Sequence, residues 1–202
     1  MSRRHTASPS AVALRLSGVK YTKRYRKLDA GRVPVKNFFI SLRIGDLKLK
    51  VDIIKANIED VQKLIEVQNQ SFYDDYIKYG ECPGYNHTVE SMTNIIENRF
   101  TYKIVYENEI IGDIIVKKNS CNNYYLGCIC VIPYYQNKGI GNVAISFIEQ
   151  QFPNAENWTL ETPSDKEVNH HFYKKLGYVI VKEYLVGKVK IALFEKKTNN
   201  CC

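Results

Sequence analysis

No stretch of this 202-residue chain approaches the roughly eighteen consecutive apolar residues of a bilayer-spanning helix, so no membrane span is expected. Six cysteines include no C-x-x-C pair, and four histidines add no ligand spacing. Disulfide frameworks and zinc modules are thereby set aside, leaving buried or free thiols in a reducing compartment and no expected metal. Nothing supplies G-x-x-x-x-G-K-[ST], which excludes a P-loop. Internal repeats and low-complexity tracts are also missing. The terminal Cys201 and Cys202 lack a C-a-a-X box, and lipidation of that pair remains a minor alternative.

Acidic residues are nearly absent from one end. No Glu precedes Glu59, and residues 1–50 hold thirteen Lys or Arg against two Asp, so this stretch carries +11 and the remaining 152 residues carry −3 of the overall +8. The folded part is therefore mildly acidic. Three readings of the basic segment, residues 1–38, stay open: a disordered or added extension, an organelle-targeting peptide, and a nucleic-acid contact through "KYTKRYRK", Lys20 to Lys27. No recognised nucleic-acid module surrounds that run, so the expected location is cytoplasmic, with targeting as the alternative.

With 45% hydrophobic and 25% charged residues, the chain has material for one substantial core. "ISLRIGDLKLKV", from Ile40, alternates on both sides of Gly-Asp and reads as a hairpin. Asn57 is placed to cap a helix facing inward with Ile58, Val61, Leu64 and Ile65, with Asp60 three residues on. Thr88 caps a second helix whose inner residues are Met92, Ile95 and Ile96. Strands are expected at Tyr102 to Glu107 and Ile110 to Lys117, turning at Asn108-Glu109. A third, Tyr124 to Ile132, is apolar on both faces: Tyr125, Ile129 and Val131 on one, Leu126, Cys128, Cys130 and Ile132 on the other. Ile140, Val143, Ala144, Phe147 and Ile148 have helical spacing. "WTLET" is a strand, and Ser164 with Glu167 forms a capping box for a helix facing inward with Val168, Phe172 and Leu176. A closing hairpin turns at Val186-Gly187. The order is β-α-α-β-β-β-α-β-α-β-β, an α/β (α+β) mixed, mostly antiparallel sheet flanked by helices. The domain is bounded at 39–197, before a tail of 198–202.

The glycines of "VIPYYQNKGIG" stand between a strand and a helix, where unpaired backbone N–H groups and the helix dipole favour an anion. Gly139, Gly141 and Ala144 match the Rossmann G-x-G-x-x-G/A turn, and Glu161 lies about twenty residues on, where a ribose-binding acid belongs. Two features oppose a dinucleotide site. Pro133 to Lys138 separate strand from glycine, and the roughly sixty residues that follow are too few for a doubly wound sheet.

Val131, Pro133, Gln136, Gly139 and Gly141 instead resemble the coenzyme A loop of the GNAT acetyltransferase superfamily. "NHHFYKKLGYVIVKEY", from Asn169, resembles that family's later N…FY-x-K-x-G-F block, with Tyr178 in place of the usual Phe. The resemblance runs from about Leu47 to Lys197. It implies acyl transfer from acetyl-CoA to a primary amine in a ternary complex. The cofactor would be bound by Cys130, Val131, Ile132, Gln136, Asn137, Lys138, Gly139, Ile140 and Gly141, largely through backbone, with Asn169 on the pantetheine arm or a water. Tyr173, one step beyond core residue Phe172, would protonate the departing thiolate. Glu161 is the first choice of base, ahead of Asp113 and Glu81. Cys130 as an acyl-bearing nucleophile is an alternative without an evident histidine base, and His170 and His171 read as surface residues. "YDDYIKYGECPGY" brings Asp74, Asp75 and Glu81 to the acceptor side and favours a cationic small-molecule or peptide amine. A CoA-binding module without catalysis remains the runner-up, and a homodimer stays open.

Overall fold

The computed structural model describes residues 38–44 and 47–198, with side chains from Lys50 onward. The basic segment through residue 37, the Gly45-Asp46 turn and the tail 199–202 lie outside the described residues, and with them the readings of an N-terminal extension and of Cys201 and Cys202.

Strands β1 (Phe38–Ile44) and β2 (Leu47–Lys55) pair antiparallel with Ile44 opposite Leu47, as expected of the hairpin. Then follow α1 (Val61–Tyr79), α2 (Val89–Asn98), β3 (Phe100–Tyr106), β4 (Glu109–Ser120), β5 (Asn123–Val131), α3 (Ile140–Gln151), β6 (Asn157–Pro163), α4 (Glu167–Lys175), β7 (Val179–Val186) and β8 (Val189–Lys197). The described strands make one sheet in the order β1-β2-β3-β4-β5-β6-β8-β7. Every neighbouring pair is antiparallel except β5 with β6, which needs α3 as its crossover.

Local chemistry starts the first two helices. Asn57 accepts the Glu59 N–H at 3.0 Å while Asp60 accepts the Asn57 N–H at 2.9 Å, a reciprocal cap that closes one 3-10 turn before α1. Ile58, expected inside, sits in that turn and is exposed. Thr88 accepts the Ser91 N–H at 3.1 Å, and Met92, Ile95 and Ile96 face inward. The start of α4 differs from expectation. Ser164 donates its backbone N–H to Lys190 at 2.8 Å, prolonging the sheet edge, so the helix begins at Glu167 without a side-chain cap. The β3–β4 turn falls on Glu107 and Asn108, both at positive φ, one residue earlier than expected.

Two apolar layers flank the sheet. On one side Ile140, Val143, Ala144, Phe147 and Ile148 of α3 meet Trp158, Leu160, Ala192 and Phe194, each fully buried large side chain contributing about 1.5–3 kcal/mol. On the other, Leu64 of α1 and Met92 of α2 cover Ile115.

One irregularity changes which residues share a face. Val116 lies opposite Leu126, but its neighbour Ile115 lies opposite Cys128, leaving Gly127 as an unpaired extra residue in β5. The bulge resets the alternation. Tyr124, Leu126, Ile129 and Val131 all face the α3 layer, whereas Tyr125, Cys128 and Cys130 face the α1 side, correcting the strict alternation expected from the sequence.

Candidate active site

The bulge also opens the sheet. β5 and β6 pair only from Asn123 with Asn157 to Leu126 with Leu160, although β5 runs on to Val131 and β6 to Pro163. Beyond Gly127 the strands separate, and Cys128 to Val131 stay bonded to β4 on one edge while their other edge faces a cleft. A bulge twists its strand locally, which is the physical cause of the parting.

Five residues further on, the chain reaches the glycine loop. Ile132 donates to Ile111 at 2.8 Å, a 3-10 turn spans Pro133–Tyr135, and the Gln136 side-chain amide returns to the Val131 carbonyl at 2.8 Å. Gln136 thus fixes the strand end through its side chain. Asn137 and Gly139 take positive φ, 58° and 77°, to turn the backbone into α3. No side chain caps that helix, and its first internal bond is Val143 N–H to Gly139 at 3.3 Å. The N–H groups ahead of Val143, including those of Ile140 and Gly141, therefore point out of the helix end with no helical carbonyl to meet, the arrangement that suits a phosphate. The Lys138 ammonium lies 4.4 Å from the Tyr134 ring centroid, adding positive charge to the loop.

The two glycines serve different purposes. A β-carbon on Gly139 would meet nothing within 4 Å, so that glycine is required by its left-handed backbone. On Gly141 it would come within 3.1 Å of Phe172 Cζ, so a side chain there needs the α4 ring to give by a few tenths of an ångström.

Helix α4 presents its residues otherwise than the sequence suggests. Tyr173 is its buried residue, ring to ring with Phe172 (5.0 Å), Phe194 (5.7 Å) and Tyr178 (5.9 Å), whereas Phe172 is half-buried and Val168 exposed. Burial pushes the Tyr173 phenol well above the usual tyrosine range, and the Cys128 thiol and Tyr125 phenol add to that. Those two neighbours belong to the opposite face of the sheet from the α3 layer in which Tyr173 packs. Asn169, one turn earlier, donates to the Thr162 hydroxyl at 2.9 Å and ties α4 to β6. His170 is half-buried against Phe194 at 5.2 Å, unlike the surface residue expected, while His171 is exposed.

Glu161 is exposed on β6, on the α1 side of the cleft. Register places Tyr125 opposite Thr159, two residues before Glu161 on the same face, and a tyrosine reaches such a diagonal neighbour. Beyond Leu193, which pairs with Glu161, Tyr184 of β7 reaches over from the other side. Tyr184 is pushed up to about 12 by its hydrogen bond to Glu161, and Tyr125 to about 12 by burial and the same carboxylate. Both phenols thus feel the Glu161 carboxylate. Neither tyrosine stands out in the sequence, because the face of Tyr125 relative to Cys128 depends on the bulge.

Beneath this face lies a buried polar cluster. Asp113, fully enclosed on β4, accepts from Gln68 Nε2 at 2.6 Å, Cys130 Sγ at 3.1 Å and Cys128 Sγ at 3.3 Å. Desolvation raises its carboxyl to about 6 despite these three donors. An Asp with no access to solvent cannot meet an incoming amine, which removes it as a direct base. Cys130 is buried with its thiol pushed up by desolvation, so the thiolate that a nucleophile requires is disfavoured. Gln68 was legible as a polar residue four positions after core residue Leu64, on the same helix face.

The acidic loop is partly neutralised. Lys166 binds the Asp75 carboxylate, Asp165 accepts from Tyr79 at 2.7 Å and pairs with Lys78 at 2.9 Å, and a β-carbon on Gly187 would meet Glu81 at 2.8 Å. Helix α1, the start of α4 and the β7–β8 hairpin are so clasped around a groove of about 550 Å³ lined by Lys78, Tyr79, Asp165, Glu183, Lys188 and Lys190.

The opened sheet and the uncapped helix end beside it are the features of this fold that would receive an anionic cofactor. The profile of the acetyltransferase (GNAT) family matches residues 63–178, and the chain belongs to that family, whose members are acyltransferases that use acetyl-CoA. Among solved structures, the PaiA N-acetyltransferase of Thermoplasma acidophilum in complex with coenzyme A superposes with a TM-score of 0.63 at 23% identity, covering 73% of this chain and 99% of that one. The ribosomal-protein-S18-alanine N-acetyltransferase of Escherichia coli gives 0.60 at 12% identity, over 75% and 99%. At these identities the likeness is one of fold. A curated relative, the uncharacterized protein YrkN of Bacillus subtilis (strain 168), is 32% identical over 113 residues, 52% of this chain and 60% of the relative, so the match spans less than two thirds of that protein. Among the described residues no helix is long and apolar enough to cross a membrane.

Proposed function

We propose that the protein transfers an acetyl group from acetyl-CoA to a primary amine by direct attack in a ternary complex. The observation that carries this reading is the parting of β5 from β6 directly beside the uncapped N-terminus of α3. Pyrophosphate would sit on the N–H groups of the loop from Gln136 to Gly141, with Lys138 adding charge, and the pantetheine arm would add to the free edge of Cys130, Val131 and Ile132. A strand N–H at that edge offers the thioester oxygen a donor as it becomes an oxyanion. Asn169 orients the arm or a water from α4.

Glu161 takes the proton that the attacking nitrogen must lose, because it is the exposed carboxylate facing the opening, and Tyr173 donates to the departing sulfur. The acceptor enters along the groove beside α1 and the β7–β8 hairpin. With Asp75 already engaged by Lys166, a preference for cationic amines rests on Glu161, Asp74 and Glu81. The test is thiol release from acetyl-CoA with a panel of a diamine, free lysine and a peptide with N-terminal alanine. Amine-dependent release, abolished in Glu161→Gln, is the expected result. Acetyl-CoA binding without release for any amine would instead establish a silent binding module.

A further inference from the structure

We propose that Asp113, Cys128, Cys130 and Gln68 form a site for one divalent ion of the zinc class, a structural clamp between α1 and the sheet that no step of acyl transfer uses.

Two neighbouring strands and one helix assemble the donors. Asp113 of β4 lies directly opposite Cys130 of β5, and Cys128, two residues back along the strand, faces the same side. A single carboxylate oxygen, Asp113 Oδ1, has both sulfurs against it, Cys130 Sγ at 3.1 Å and Cys128 Sγ at 3.3 Å. One donor atom from each of the three residues lies within 4.8 Å of the other two. Around a tetrahedral zinc with bonds of about 2.0 Å to oxygen and 2.3 Å to sulfur, the ligand atoms stand roughly 3.3–3.8 Å apart. The triangle already has close to that size. From α1, Gln68 brings its amide Nε2 to 2.6 Å from Asp113 Oδ2 and 3.7 Å from Cys128 Sγ. No local spacing signals the set, because its members come from three separate elements.

Two observations point from this cluster to a cation. Asp113 is fully enclosed, yet none of the ion pairs among the described residues includes it, and its side-chain partners are an amide and two thiols. A carboxylate withdrawn from water is ordinarily matched by a cationic side chain or a metal. Gln68 supplies the second observation: it is 1% exposed, and its Oε1 has no hydrogen-bond partner. Turning the amide over places that oxygen where Nε2 stands, within reach of the sulfurs and the carboxylate, as a fourth ligand.

The donor set selects the ion. Two thiolates disfavour calcium and magnesium, and four ligands of mixed sulfur and oxygen suit tetrahedral zinc. Ligation replaces both thiol protons by the metal, so about two protons leave per ion bound. Entry is through Cys128, which is only part-buried and lies on the edge of β5 that has left β6. Beyond Gly127 that edge is bonded to β4 alone, and the ion would tie it to α1 in place of the neighbour it lost.

The experiment titrates the full chain, reduced with a phosphine and stripped with a chelator, first with Co²⁺ as the spectroscopic probe and then with Zn²⁺. One equivalent of Co²⁺ should develop a thiolate-to-cobalt charge-transfer band with tetrahedral ligand-field absorption, and Zn²⁺ should displace it. Binding should release about two protons per ion. Zn²⁺ at a hundred times its Kd should raise the thermal midpoint by about 5–10 °C, reversed by chelator. The band should be lost in Cys128→Ser with Cys130→Ser, persist at weaker affinity in Gln68→Leu, and be unchanged when Cys82, Cys121, Cys201 and Cys202 are replaced by serine. No band and no thermal shift in the native chain would overturn the site without recourse to any variant. A band that survives the loss of Cys128 and Cys130, or that disappears with the other four cysteines, would overturn it equally. None of these readouts depends on turnover, so the acetyl-transfer reading stands or falls separately.

Discussion

Gly141 at the start of α3 packs against Phe172 of α4 so closely that a β-carbon there would stand 3.1 Å from the ring. The loop expected to cradle phosphate is therefore joined mechanically to the helix that carries Tyr173, one residue beyond Phe172. Displacing the ring would move both ends of the site.

Gly141→Val should consequently lower stability before any ligand is added, by about 1–3 kcal/mol, as overpacking does. Its stabilisation by acetyl-CoA should fall too, from the roughly 2.7 kcal/mol expected at a hundredfold excess over Kd. Gly139→Ala should cost about 1–2 kcal/mol through its left-handed backbone while touching no side chain. Thermal unfolding with and without acetyl-CoA checks both. Undiminished unliganded stability in Gly141→Val would show that the Phe172 ring yields freely.

Tyr173→Phe retains the ring and its contacts, so stability and acetyl-CoA affinity should change little. Turnover should drop by about ten- to a thousand-fold at neutral pH and recover in part as pH rises, since general acid catalysis is worth roughly 10² to 10⁴ and a thiol of pKa about 8.5 leaves unaided in base. Steady-state kinetics across pH, with chemistry limiting, decides. An unchanged kcat would take Tyr173 out of the reaction while leaving the fold untouched.

Asp113 makes stability depend on pH in a stated direction. Its carboxyl rises from 3.8 to about 6 on folding, so the folded state holds the extra proton in that interval. The sign is unfavourable at neutral pH: the contribution of Asp113 to stability is greatest below about pH 4, declines as pH climbs to about 6 and is level above, by on the order of 3 kcal/mol. Asp113→Asn cannot ionise, and urea unfolding should find this decline absent. Parallel pH curves for the two proteins would refute the assignment.

Gly112 lies opposite Val131 in the ladder, and a β-carbon there would stand 2.3 Å from the Cys130 carbonyl oxygen. Backbone cannot yield as a side-chain tip does, so Gly112→Ala should destabilise by about 1–3 kcal/mol or more and disturb the cofactor edge of β5. Weakened acetyl-CoA binding together with a lower Tm is the expected pair of results. Native stability in Gly112→Ala would mean that β4 and β5 can part at no cost.

Much was legible because its causes are local. Asn57, Thr88, the i, i+3, i+4 stripe of α3 and the Gly139 turn each act within one helical turn of their own position, and each stands where sequence places it. The same reasoning missed at α4. In a nine-residue helix, adjacent positions differ by about 100°, and whether Phe172 or Tyr173 turns inward is decided by the sheet and α3 against which it lies. The Ser164 cap gave way to a strand bond with Lys190 for a similar reason.

What sequence by itself determined, then, is the order of elements, the family and the loop of unpaired N–H groups, since caps, glycines and periodicity act through near neighbours. Tertiary structure alone decided the chemistry of the opening. Gly127 becomes a bulge only when β5 is laid against β4, and from that register follow the shared face of Tyr125 and Cys128 and the parting from β6. Register between strands belongs to two distant segments at once, and no pattern within either one contains it.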